Sequence, residues 1–120
     1  MAKVLTVDDS GSMRAMVAHT LTEMGHEVKE AENGQLGLDA ALATQFDLVI
    51  SDVNMPVMDG ITFVTNLRQQ PNYRFTPILM LTTESGQDKK GAGKQAGATG
   101  WVVKPFNPQK LSALVNKVLK

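Results

Sequence analysis

Four times in this chain a short apolar run ends on a residue that carries chemistry. Val4-Leu5-Thr6-Val7 runs into Asp8-Asp9, and Leu48-Val49-Ile50-Ser51 into Asp52. Ile78-Leu79-Met80-Leu81 runs into Thr82, and Trp101-Val102-Val103 into Lys104-Pro105. Runs this short and this uniformly apolar read as strands buried on both faces, as in parallel sheets. Parallel neighbours need crossover connections, and stretches of helical period fill the gaps. Strands are expected at about 3–8, 27–31, 46–51, 77–82 and 99–103, with helices at about 12–24, 34–44, 60–70, 87–96 and 108–119. Such alternation implies right-handed crossovers and an α/β parallel sheet with helices on both faces. Ligands of these sheets bind beyond the carboxyl ends of the strands, so the run-ends should share one rim.

Local signals support the helices. Met13, Met16, Val17, Leu21 and Met24 recur at helical spacing and Gly25 follows them as a stop. Asp59 is placed to cap a helix bearing Phe63, Val64 and Leu67, while Asn107-Pro108 opens one bearing Leu111, Leu114, Val115 and Val118. These stripes are core, not a cofactor site. The stretch from Asp88 to Gly97 has no large apolar residue, and Gly91 and Gly93 each cost about 1 kcal/mol against alanine in a helix, so the fourth helix is expected to be the loosest.

With 120 residues, 42% of them hydrophobic, the chain fits one domain with a proper core, 1–120, and no further domain. It has no cysteine, which excludes a disulfide scaffold and a thiolate metal site. It also lacks a long apolar run or signal-peptide pattern; a cytoplasmic protein is expected, with no membrane partner. The net charge of zero hides an imbalance: residues 1–60 hold ten acids and three bases, residues 61–120 two acids and nine bases. The imbalance reads either as ordinary solvated helix faces or as an acidic metal-binding rim with a basic surface for an acidic partner. Nucleic acid is not an expected partner, because aromatics do not interleave the basic residues and the pI is near 6.7.

Asp8, Asp9 and Asp52 at one rim repel one another unless something neutralises them. Mg²⁺ suits them: it accepts one or two carboxylates and leaves room for phosphate oxygens. Lys104 adds a mobile positive charge, and Thr82 a hydroxyl. A carboxylate so placed can attack phosphorus to give an aspartyl phosphate. Each residue alone has a plainer reading, as a turn former, strand end or solvated charge. Asp47 is read as a loop charge and Asp59 as a cap. The conjunction at four strand ends is what points to chemistry.

The chain resembles response-regulator receiver domains, and among them the single-domain chemotaxis kind. The resemblance lies in Val7-Asp8-Asp9-Ser10, in Ser51-Asp52-Val53-Asn54-Met55-Pro56-Val57-Met58-Asp59-Gly60, in Leu81-Thr82-Thr83-Glu84 and in the stretch from Ala96 to Phe106. It implies a doubly wound (βα)5 flavodoxin-like fold with strand order 2-1-3-4-5. It implies Asp52 as phosphoacceptor and Mg²⁺ held by Asp8, Asp9, Asp52 and the Asn54 backbone carbonyl. Thr82 and Lys104 would bind the phosphoryl group, and Asn54 and Glu84 would tune its lifetime. The peptide before Pro105 would be cis, and Trp101 would take the place of the family's switch aromatic, most often Tyr or Phe. The implied partners are a histidine kinase as phosphodonor and a flagellar motor switch protein or phosphatase. They would be met by a monomer through the face of the fourth helix, fifth strand and fifth helix. The protein would not be an enzyme beyond catalysing its own aspartyl phosphorylation and dephosphorylation.

Other readings fit less well. A haloacid dehalogenase-like phosphatase needs an Asp two residues after the nucleophile, where this chain has Asn54. A flavodoxin-like FMN carrier needs a phosphate-cradling loop after the first strand, where Asp8-Asp9 would repel the phosphate. A phosphate sink, a phosphorelay intermediate and an unphosphorylated adaptor remain alternatives.

Overall fold

The computed structural model describes residues 2–53, 55–83, 97–104 and 107–119. The expected fourth helix at 87–96 lies outside them. The chain runs β1 (Lys3–Val7), α1 (Gly11–Glu23), β2 (Glu27–Ala31), α2 (Gly34–Ala43), β3 (Leu48–Asp52) and α3 (Gly60–Arg68). A 3₁₀ turn (Pro71–Tyr73), β4 (Ile78–Thr83), β5 (Gly100–Lys104) and a C-terminal helix (Pro108–Val118) follow. All four strand pairings are parallel, in the order β2-β1-β3-β4-β5.

The strand period of two sorts the core into two layers. Leu5, Val7, Val49, Ile78 and Met80 face α2 and α3, where they meet Ala41, Phe63, Val64 and Leu67. Their neighbours Val4, Leu48, Ile50, Leu79 and Leu81 face the other way, toward Val17 and Leu21 of α1 and Leu111 and Val115 of the C-terminal helix. All of these are at most 1% exposed. Each large side chain buried in this way contributes on the order of 1.5–3 kcal/mol. The expected stripes pack as core through Val17, Leu21, Phe63, Val64, Leu67, Leu111 and Val115, with Met13, Met24, Leu114 and Val118 at the margin and Met16 outside both layers.

Helix starts are capped by side chains. Ser10 Oγ accepts the Met13 N–H, Asn33 Oδ1 the Leu36 N–H, Asp59 Oδ1 the Thr62 N–H and Asn107 Oδ1 the Lys110 N–H. Each satisfies a donor that the helix leaves over. Gly25, at φ 91°, ends α1 as expected.

Strand ends differ from the sequence reading by one or two residues. β3 begins at Leu48, not at position 46, because the Phe46 N–H turns to the Tyr73 hydroxyl at 3.1 Å. It continues through Asp52, which pairs with Leu81. Lys104 likewise lies inside β5 instead of just beyond it, and β4 runs one residue past Thr82. Asp8, expected as the last residue of the first strand, instead follows β1 together with Asp9.

Candidate functional site

The register assembles the rim. Val7 pairs with Ser51, so Asp8, one residue on, stands beside Asp52; Asp52 pairs with Leu81, so Thr82 stands one step further along the same edge. One carboxylate oxygen from each of Asp8, Asp9 and Asp52 lies within 4.8 Å of the others. Asp8 is fully buried, Asp52 is 8% exposed and Thr82 3%, while Asp9 is open to solvent.

Backbone and side-chain contacts hold these acids in place. The Asp8 N–H donates to the Ala31 carbonyl at the end of β2 (3.1 Å), and Asp8 Oδ1 accepts the Ser10 N–H (2.9 Å). Arg14 Nη1 donates to the Asp8 carbonyl at 2.6 Å, and its Nε reaches Glu30 of β2 at 3.2 Å. The edge strand thus grips Asp8 twice, once through its own backbone and once through Arg14. Asp52 Oδ1 accepts the Val53 N–H at 2.9 Å, which sets the side chain's rotamer. The Ser51 hydroxyl donates to the Asp52 carbonyl.

The loop from Val53 to Asp59 is closed at its base by the Gly60 N–H on the Val53 carbonyl, 2.8 Å. Gly60 is required here, since a Cβ would overlap the Asp52 carbonyl. The loop is pinned laterally by the Gly34 N–H on the Met58 carbonyl, 3.1 Å, where a Cβ on Gly34 would collide with that same carbonyl. At its tip the Met58 N–H returns to the Pro56 carbonyl at 2.7 Å, with Val57 between them at φ 69°. This is a γ-turn of the rare positive-φ hand. A β-branched residue held there costs roughly 1–3 kcal/mol, and Val57 is 82% exposed.

Of the residues singled out in the sequence, Asp8, Asp9 and Asp52 converge, and Thr82 occupies the same edge. Trp101 pairs with Met80 and is half-buried against the α2–α3 layer. The Lys104 backbone ends β5 opposite Thr83. The Lys104 side chain, Asn54, Glu84 and Pro105 lie outside what is described. Sequence reasoning missed Arg14 and Glu30: a basic residue on a helix and an acidic one on a strand carry no local mark of their meeting. Asp47, read as a loop charge, also pins β1, accepting the Lys3 N–H at 2.9 Å.

A cluster of hard, anionic oxygens open on one side through Asp9 suits a small dication such as Mg²⁺, which binds few carboxylates and keeps other positions for water or phosphate. Among the described residues no helix is long and apolar enough to cross a membrane.

A doubly wound parallel sheet with such an acidic rim defines a class, and the sequence agrees: residues 4–116 match the response regulator receiver domain, and the chain belongs to that family. It is similar to a chemotaxis protein CheY homolog of Campylobacter jejuni, 40% identical over 98% of this chain and 92% of that protein. It is also similar to the solved chemotaxis response regulator CheY4 of Vibrio cholerae, at 57% identity, TM-score 0.94 and 99% coverage of both chains. The signal receiver domain of a signal transduction histidine kinase from Syntrophus aciditrophicus superposes with a TM-score of 0.92 at 31% identity, covering 99% of this chain and 90% of that one.

Proposed function

We propose that this chain is a chemotaxis response regulator of the cytoplasm, switched by Mg²⁺-dependent transfer of a phosphoryl group from a histidine kinase to Asp52. The observation that supports this most directly is the meeting of Asp8, Asp9 and Asp52 oxygens within 4.8 Å at the ends of β1 and β3. Its similarity to CheY proteins supports the chemotactic setting.

In the proposed step an Asp52 carboxylate oxygen attacks phosphorus in line. The P–N bond to the donor histidine breaks, the imidazole keeps its electron pair and a mixed anhydride forms on Asp52. The Val53 N–H holds Oδ1 and so restricts the carboxylate to one orientation for that approach. Bound Mg²⁺ would neutralise the acids and polarise the phosphoryl oxygens; Asp8, Asp9, Asp52 and the Asn54 carbonyl would hold it. The Thr82 hydroxyl and Lys104 ammonium would donate to those oxygens, and Asn54 and Glu84 would govern how fast water later cleaves the anhydride.

The output follows as a population shift of the face that carries β5 and the C-terminal helix, with Trp101 as its sensor. A flagellar motor switch protein fits the basic residues of that half of the chain. The protein catalyses only its own phosphorylation and dephosphorylation. Incubation with Mg²⁺ and acetyl phosphate should add one phosphoryl group by intact mass. The near-isosteric Asp52→Asn should abolish the gain, and a variant that labels as well as wild type overturns the acceptor assignment.

A further inference from the structure

We propose that Arg14, steadied by Glu30, is a positioning residue that sets the direction of Asp8 and Asp9 relative to each other for a bound cation. This rests on the acidic rim being the cation site. Arg14 stands one turn into α1, where its backbone N–H donates to the Ser10 carbonyl at 2.9 Å. From there the side chain turns back past the start of its own helix. Nη1 donates to the Asp8 carbonyl at 2.6 Å, and Nε meets Glu30 Oε1 at 3.2 Å. The side chain is only 19% exposed, so the guanidinium is largely withdrawn from water to make these two contacts.

The carbonyl that Arg14 grips belongs to the peptide unit joining Asp8 to Asp9. That unit is planar, so holding its oxygen also holds the plane from which the Asp9 Cα departs. The peptide on the other side of Asp8 is held by its N–H on the Ala31 carbonyl, 3.1 Å. Both peptides flanking the Asp8 Cα are thus fixed to β2, one directly and one through Arg14. The Asp8 carboxylate is buried and accepts the Ser10 N–H, whereas Asp9 is open to solvent. The shared peptide plane is therefore what ties the exposed acid to the buried one. Mg²⁺ demands near-ideal octahedral geometry, so the angle between two neighbouring acids bears on its affinity. An arginine suits the task. Its rigid fork presents Nε and Nη1 in one plane, while a lysine of the same charge has a single nitrogen on a flexible stem. Glu30 offsets the guanidinium charge, so the fork can sit beside the rim without setting a net positive charge against the incoming dication.

The test measures Mg²⁺ affinity by titration calorimetry for wild type, Arg14→Lys, Arg14→Gln, Glu30→Gln and Lys3→Gln. Lys3 is the control: it bridges the other end of the same two strands to Glu27, at 3.9 Å. Binding should weaken about tenfold in both Arg14 variants, less in Glu30→Gln, and not at all in Lys3→Gln. Arg14→Lys keeps the charge and loses the fork, so it separates geometry from electrostatics. If it binds Mg²⁺ as wild type does, or if Arg14→Gln binds more tightly than wild type, Arg14 acts as a charge alone and the proposal is overturned. Equal weakening in Lys3→Gln also overturns it, because the effect then lies in the β1–β2 pairing at large. The ¹³C chemical shift of the Asp8 carbonyl gives a readout without metal. It should move in both Arg14 variants and stay put in Lys3→Gln, and an unmoved shift in the Arg14 variants overturns the grip itself. A wild type that binds no Mg²⁺ sinks the cation reading and the positioning role with it, an outcome distinct from variants that bind as wild type does.

Discussion

The two ends of the sheet handle buried polarity in opposite ways. At the end where the strands begin, polar groups are matched one to another. The Tyr73 hydroxyl accepts the Phe46 N–H and lies 2.8 Å from both the Ala41 and Thr44 carbonyls. Arg68 spends its guanidinium on the Gly97 carbonyl (2.8 and 3.0 Å) and the Tyr73 carbonyl (2.6 Å), which fastens the chain entering β5 to the end of α3. Burial lowers the pKa of Arg68 and raises that of Tyr73, the latter helped by the nearby Asp47 charge and opposed by the Phe46 N–H. At the end where the strands finish, like charges are gathered instead. One end closes the fold, and the other holds acids ready for a cation.

Removing a charge should therefore move stability in opposite directions at the two ends. The largest expected effect sits where the rim's backbone is tightest. Gly60→Ala forces a Cβ into the Asp52 carbonyl and should cost roughly 3 kcal/mol by chemical denaturation. A variant as stable as wild type would mean the loop is not closed there. Arg68→Met should cost about 2 kcal/mol by stranding the Gly97 and Tyr73 carbonyls, while acetyl phosphate labelling of the folded protein persists. If labelling fails with the fold intact, the two ends are coupled and the contrast breaks.

Asp8→Asn should work the other way. It relieves repulsion among three carboxylates and, without added Mg²⁺, should raise stability by on the order of 1 kcal/mol. Added Mg²⁺ should lift the melting temperature of wild type more than that of the variant. A destabilised variant would show that Asp8 is held as a structural carboxylate.

The smallest effect is expected in alkali. A phenol whose folded pKa is raised contributes stability that is fully present below its usual 10.0 and is lost as pH rises through the folded value. Unfolding free energies measured from pH 8 to 11 should fall for wild type at the top of that range. Tyr73→Phe, which lacks the titrating hydroxyl, should not show that part of the decline.

Much of this was legible in the chain. Short, uniformly apolar runs marked β1, β3, β4 and β5, and Asp59 and Asn107 announced the helices they cap. The acidic triad could be anticipated because parallel strands put their carboxyl ends on one edge. What stayed hidden depends on contacts distant in sequence. Arg14 and Glu30 are sixteen residues apart and meet only once β2 lies beside β1. The hydroxyl of Tyr73 reaches back about thirty residues to Ala41 and Thr44. Nor did composition mark the turn at Val57, because valine is among the last residues expected at positive φ.

The double grip of β2 on Asp8 has a kinetic counterpart. Among the described residues β2 is an edge strand with β1 as its sole strand neighbour. Its amide protons should exchange with solvent sooner than those of β3 and β4, which open only when the whole domain does. Each time β2 frays, Ala31 releases the Asp8 amide and Glu30 releases Arg14. The lifetime of the acidic pair's geometry is then set by the least persistent strand in the sheet. Whatever cation binds the three acids should be read out at a distance, as slower deuterium uptake along Glu27–Ala31.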